Sequence, residues 1–194
     1  MQLQKATTLT DKISTQPAGA TRLFVAAEIP DEIKIVLNER LKQYTGYIKR
    51  LVNQDNWHMT FLYIGMVNDF ESHQEVLSSR LSQAFLPTIT LTHLGHGCQP
   101  DQLWVYAKPT TLLQTIKQQL LGRVGGQVSN FSQTNQPGIF VPHIKLAELR
   151  DRSISKFVAD CPLLVTWPVK KLFLYNSRVY LGETKYDVKG TINL

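Results

Sequence analysis

Apolar and polar residues alternate through Trp57-His58-Met59-Thr60-Phe61-Leu62 and again through Pro142-His143-Ile144-Lys145-Leu146, a period of two that predicts strands with one face in a core. On a straight strand His58, Thr60 and Leu62 share one face, and Met59, Phe61 and Tyr63 share the other. The same parity places His143 beside Lys145 and sends Ile144 and Leu146 inward. Each segment thus turns a histidine and a second polar side chain toward a cleft.

Both segments follow the same supersecondary phrase. Leu23-Phe24-Val25-Ala26-Ala27-Glu28 matches Leu103-Trp104-Val105-Tyr106-Ala107-Lys108, and each run passes through a proline, Pro30 or Pro109, into a helical pattern. Ile33, Val36, Leu37 and Leu41 carry the helical spacing in the first copy, and Leu113, Ile116, Leu120 and Leu121 in the second. A chain that repeats strand, helix and histidine-bearing strand reads as two similar lobes, with a pseudo-twofold arrangement bringing the histidines face to face across a groove.

The remaining pattern fills in the elements. Residues 22–29 read as the first strand and 31–43 as the first helix, and a basic stretch at 47–52 leads into the His58 strand, which Gly65 ends. Asp69 is placed to cap a helix reaching residue 84, with Val76, Leu77 and Leu81 inward. Residues 86–94 and 103–107 predict paired strands around a turn at 95–101, and 111–123 a second long helix. Gly, Ser, Asn, Gln and Pro at 125–138 predict a loop bordering the groove. A short helix at 153–159 and strands at 163–167, 171–175 and 186–194 complete an α+β arrangement with helices outside the sheets.

With 194 residues, the chain suits one compact domain or two tightly joined lobes. Residues 1–20 lack the apolar stretch of a signal peptide and read as a loose tail, leaving 21–194 as a single bilobal domain. No apolar run approaches the roughly 18 residues of a membrane-spanning helix. Cys98 and Cys161 stand in no metal or redox spacing and read most simply as reduced thiols of a cytoplasmic protein. The net charge of +6 is unevenly spread: residues 1–100 hold 9 Lys/Arg against 9 Asp/Glu, and residues 101–194 hold 12 against 6. A polyanion such as RNA would be drawn to the second lobe; a solvated basic surface gives the same count.

Two imidazoles facing each other have a definite chemical use. With an unperturbed pKa near ~6.5, one can accept a proton while the other donates one. An in-line displacement at phosphorus needs a base beside the incoming water and an acid beside the departing oxygen. A hydroxyl and an ammonium can hold the nonbridging oxygens, and this chemistry requires no metal. His93, His96 and Cys98 lack a fourth ligand for a metal site. Trp57, Trp104 and Trp167 read as core residues rather than base-stacking platforms.

The phrases Arg22-Leu23-Phe24-Val25-Ala26 with Ile29-Pro30, Asn56-Trp57-His58-Met59-Thr60-Phe61-Leu62 with Gly65, Pro142-His143-Ile144-Lys145-Leu146-Ala147 and Leu174-Tyr175-Asn176-Ser177-Arg178 with Tyr186 resemble a known family. It is the bacterial RNA 2′,3′-cyclic phosphodiesterases, also called 2′-5′ RNA ligases, of the two-histidine phosphoesterase superfamily. The resemblance spans residues 20–194. It implies an α+β fold of two pseudo-symmetric lobes of mixed or antiparallel sheet, with outer helices around a central groove. It also implies hydrolysis of a terminal 2′,3′-cyclic phosphate on RNA to a 2′-phosphate, with reversible 2′-5′ joining. The implied partners are RNA ends of that kind, tRNA fragments among them, met by a monomer that needs no cofactor and no membrane.

Residue by residue, the resemblance makes His58 and His143 catalytic and Thr60 a phosphate ligand. Lys145 stands where the second copy usually has a hydroxyl, and is expected to bind phosphate as a point charge. Glu148 stands where many members carry an arginine; its parity is that of Ile144 and Leu146, which turns it away from the groove or past the strand end. Two other readings stay open: an RNA-end binding module whose catalysis has decayed, and the same chemistry on a small cyclic nucleotide or a 2′-5′ linked oligonucleotide. Lys145, two residues from His143 on one face, is expected to disfavour its protonation, making His143 the base and His58 the acid.

Overall fold

A computed structural model describes residues 21–79, 81, 85–125, 140–150, 162–181 and 183–194. The expected tail at 1–20, the short helix at 153–159, the groove loop from 126 to 138, Cys161 and residues 80 and 82–84 at the expected end of the Asp69 helix lie outside them.

Alternation of apolar residues produces nine strands among the described residues. They are β1 (Thr21–Glu28), β2 (Ile48–Leu51), β3 (His58–Val67), β4 (Thr88–His96), β5 (Gln102–Ala107), β6 (His143–Leu149), β7 (Thr166–Pro168), β8 (Lys171–Tyr180) and β9 (Glu183–Asn193). The helices are α1 (Asp31–Lys42), α2 (Phe70–Ser78) and α3 (Thr111–Arg123). Asp69 caps α2, accepting from Ser72 N at 3.0 Å, and Thr110 caps α3 by accepting from Leu113 N at 3.3 Å.

The strands form two antiparallel sheets, one ordered β3-β1-β8-β9 and the other β2-β6-β5-β4-β7. The order β3-β1-β8-β9 is repeated by β6-β5-β4-β7, which is the expected duplication. β2 is an addition: the basic stretch before His58 crosses over to pair with β6 at the edge of the second sheet. Leu37 of α1, Leu77 of α2 and Leu113, Ile116 and Leu120 of α3 join the inner faces of both sheets in one buried cluster. Val36 and Val76, expected to point inward, are instead exposed.

The straight-strand parity fails at equivalent places in the two histidine strands. Across β1, Ala26 faces Thr60 and Val25 faces Leu62, so Phe61 is an extra residue. Across β5, Trp104 faces Lys145 and Leu103 faces Ala147, so Leu146 is extra. A bulge puts two residues opposite one and reverses the facing of everything beyond it. Leu62 therefore goes into the core and Tyr63 comes out to the cleft, the reverse of the expectation for a straight strand. Glu148, expected to face away, returns to the side of His143 and Lys145. The bulges also show that Ala26 corresponds to Trp104, two residues out of step with the sequence match, which paired Ala26 with Tyr106. A second irregularity at Ile64 ends on Gly65, whose φ of 98° lies in the left-handed region that glycine adopts without a Cβ clash.

This geometry makes Leu62 a core residue rather than a cleft residue. Leu62→Ala is expected to lower the free energy of unfolding by about 2–5 kcal/mol, read from urea titrations. A change under about 0.5 kcal/mol would mean that the strand runs straight and Leu62 faces the cleft.

Candidate active site

The two histidines are mounted alike. Each is the first residue of its strand, and each Nδ1–H donates to the carbonyl two residues earlier: His58 to Asn56 at 2.7 Å and His143 to Val141 at 2.9 Å. That bond fixes one tautomer and leaves Nε2 without the proton. β3 and β6 lie against each other, and Val52 N donates to Leu146 O at 2.9 Å, tying the approach to one histidine to the strand of the other.

Aromatic rings surround both imidazoles unequally. His58 meets Phe24 at 4.8 Å between centroids, and the perpendicular ring of Tyr186 at 5.0 Å and 87°. Tyr175 stacks behind Phe24 at 5.1 Å. His143 instead lies flat on Trp104, with centroids 3.6 Å apart and planes 7° from parallel. Trp104 is therefore a floor of the cleft as well as a buried residue. Gly97 lies beneath it: any Cβ there would collide with the indole. Trp57 and Trp167 are core residues, as expected.

Thr60 is half-buried on the cleft face, opposite the small Ala26. Lys145 occupies the equivalent position in the other lobe, and its ammonium lies 3.5 Å from Glu148 Oε1. Arg50 of β2 reaches the same oxygen at 2.7 Å. Sequence reasoning missed Arg50 as a site residue, because nothing in 47–52 reveals that this stretch pairs with β6. Phe24, Tyr175 and Tyr186 entered as parts of the repeat, of expected strands and of the family phrases, not as site residues. Burial, with Glu28 nearby, pushes the Tyr175 hydroxyl up to about 12, so it stays protonated. His93 stacks on Tyr106, His96 Nδ1 bonds Pro100 O at 2.8 Å, and Cys98 contacts Gln102. Among the described residues no three His, Cys, Asp or Glu side chains come together as a metal site.

Burial governs the charge of both imidazoles. It pulls His58 down to about 4 against the opposing pull of the Asn56 carbonyl, and the neighbouring His143 charge lowers it further. His143 is also lowered by burial, with the Val141 carbonyl opposing. Lys145, balanced by Glu148, is not what shifts His143. The expected tuning by Lys145 is thus corrected: burial lowers His143, and His58 is the more strongly depressed imidazole, neutral at pH 7. The indole face against His143 adds to the difference between the two, since an aromatic face attracts an imidazolium.

Unfolded histidines titrate near ~6.5 and bind a proton that the folded sites refuse. Stability is therefore full above about 6.5 and falls as pH drops toward the folded value of about 4 for His58. Urea midpoints should decline over this window, and His58→Gln should flatten the decline. In an NMR titration His58 should protonate below His143, and Lys145→Thr should leave His143 nearly unmoved. A clear rise in the His143 value would restore Lys145 as the tuning charge.

No protein-family model matches the chain, and no curated protein matches it in sequence. Solved structures do. E. coli LigT in its apo form superposes with a TM-score of 0.72 at 23% identity, covering 90% of this chain and 98% of that one. LigT has also been solved with ATP, NADP+, 3′-AMP and phosphate. A protein described as a phosphoesterase gives 0.68 at 25% identity, covering 90% of this chain and 98% of its own. TT0787 of Thermus thermophilus gives 0.73 at 20% identity, covering 89% and 97%. No helix among the described residues is long and apolar enough to cross a membrane. With its repeated strand order, its matched bulges and these superpositions, the chain has the bilobal two-histidine phosphoesterase fold.

Proposed function

We propose that the protein is a metal-independent phosphodiesterase that opens the 2′,3′-cyclic phosphate at the end of an RNA to leave a 2′-phosphate, and that it belongs to the LigT-like 2′-5′ RNA ligase family. The observation that carries this reading is the matched mounting of His58 and His143, each anchored through Nδ1 with Nε2 left free, and near enough for the charge of His143 to act on His58. Nucleotides and phosphate bound by E. coli LigT agree with a substrate of this class.

The chemistry follows from the unequal imidazoles. His58 Nε2 takes a proton from water as its oxygen attacks phosphorus. The bond from phosphorus to O3′ breaks, and O3′ takes a proton from His143 Nε2. Product release leaves the two histidines with exchanged protons, and solvent resets them. The Thr60 hydroxyl and the Lys145 ammonium hold the nonbridging oxygens as charge shifts onto them. An arriving phosphate monoanion raises both imidazoles, and His143, the less depressed, is the first to hold the proton. With a 5′-hydroxyl in place of water the same displacement gives 2′-5′ joining, His58 taking the hydroxyl proton and His143 protonating O3′; the reverse cleavage of the 2′-5′ bond exchanges the two roles.

An oligoribonucleotide ending in a 2′,3′-cyclic phosphate, incubated with the protein and EDTA, should acquire a 2′-phosphate end. Full retention of the cyclic end at micromolar protein would sink the proposal, and tight binding without turnover would favour the decayed binding module. His58→Ala and His143→Ala should each reduce kcat by ~10² to 10⁴. The double variant should be no worse than the weaker single one, since both groups serve one step. A single variant with most of its activity intact would remove that histidine from the mechanism.

A further inference from the structure

The cleft face of β6 runs outward from His143 through Lys145 to Glu148, where the strand meets β2. At that edge one carboxylate is shared by two cations, because Arg50 Nη2 and Lys145 Nζ both reach Glu148 Oε1. The cluster keeps a net positive charge. Its exposures differ: the Glu148 side chain is 23% exposed, Lys145 38% and Arg50 67%. The carboxylate is thus set into the wall of the groove, and the guanidinium stands in water at its rim.

Arg50 and Glu148 reinforce each other's charged form. The bond to Glu148 raises the guanidinium, and the bond to Arg50 holds the carboxyl below the usual carboxylate range. An ion pair so open to water holds the arginine in place at little cost to its exchange for another anion. A guanidinium has five N–H donors in a fixed fork suited to a phosphate, and among the described residues only Nη2 is seen donating. Arg50 comes from the charge-balanced first half of the sequence but is mounted on the second sheet, where it adds to the basic excess of that lobe.

Distance decides which phosphate it can meet. Lys145, proposed to hold the reacting phosphate, and Arg50 meet on the same Glu148 oxygen, at 3.5 Å and 2.7 Å, so the carboxylate stands between the guanidinium and that phosphate. A phosphate on the outer side of Glu148 is then a neighbour of the reacting one along the RNA, not the reacting one itself. We propose that Arg50, positioned by Glu148, binds an internucleotide phosphate one or two nucleotides from the reacting end, so that the site selects a polynucleotide over a mononucleotide. This rests on the function proposed above.

The test compares two probes, a cyclic-ended oligoribonucleotide and a 2′,3′-cyclic mononucleotide, for the unaltered protein, Arg50→Ala and Arg50→Glu. The ratio of kcat/KM for the oligonucleotide to that for the mononucleotide should fall about tenfold with Arg50→Ala and further with Arg50→Glu, through KM for the oligonucleotide. The salt slope of oligonucleotide binding should fall by about one unit. An unchanged ratio and slope would overturn the inference, leaving a structural ion pair. If altering Arg50 only disturbed Lys145 through Glu148, both probes would lose turnover together and the ratio would hold, which also overturns it. Failure of the unaltered protein on both probes would count against the proposed reaction instead. Salt-dependent binding of the oligonucleotide would still read Arg50 independently in that case.

Discussion

The site depends on two β-bulges, at Phe61 and Leu146, each three residues past a histidine. A strand with regular alternation can present a histidine and a neighbour two residues on, but it must then keep every second residue in the cleft. The bulges release the chain from that demand. Beyond Phe61, Leu62 returns to the core and Tyr63 emerges; beyond Leu146, Ala147 packs inward and Glu148 emerges. The same local irregularity thereby gives one lobe a phenol beside its hydroxyl and the other a carboxylate beside its ammonium.

Pseudo-symmetric backbones carry asymmetric surroundings. Both imidazoles make the same main-chain hydrogen bond, so the tautomer is common to both lobes. What distinguishes them is the rings they touch. His58 is closed in by the tilted ring of Phe24 and the perpendicular ring of Tyr186, whereas His143 lies flat on the face of Trp104. Unequal proton affinity at two similar sites is what an acid and base pair requires, and here it arises chiefly from unequal burial, with the charge of His143 adding to the lowering of His58.

How much of this could be read from the sequence depended on the range of the interaction. Helix α3 is bounded by Thr110 and Arg123 as its spacing predicts, because its cap and its apolar spacing are local. The histidine strands and the duplication were legible for the same reason. The facing of Leu62 and Glu148 was not, since a bulge is defined by the partner strand and leaves no mark in the alternation itself. Arg50 was hidden for a related reason: residues 47–52 look like a basic connection, and only pairing with Leu149, Glu148 and Ala147 makes them part of a site. The turn between β4 and β5 is tighter than the seven residues expected, because the pairing continues to His96 opposite Leu103. The β8–β9 hairpin likewise extends well past Tyr175, through polar residues that alternation does not flag.

The first sheet has β8 hydrogen-bonded between β1 and β9. On a ribosome, β1 emerges early and must wait for its neighbour until nearly the whole chain has been made. The second sheet draws its strands from β2 to β7, all of which precede β8. It can close while the first is still missing two of its four strands. The lobe that is named first in the sequence is therefore the last to be finished. Until then the inner face of β1, with Leu23, Val25 and Ala27, is without its β8 neighbour, a period of exposure that the order of synthesis alone imposes.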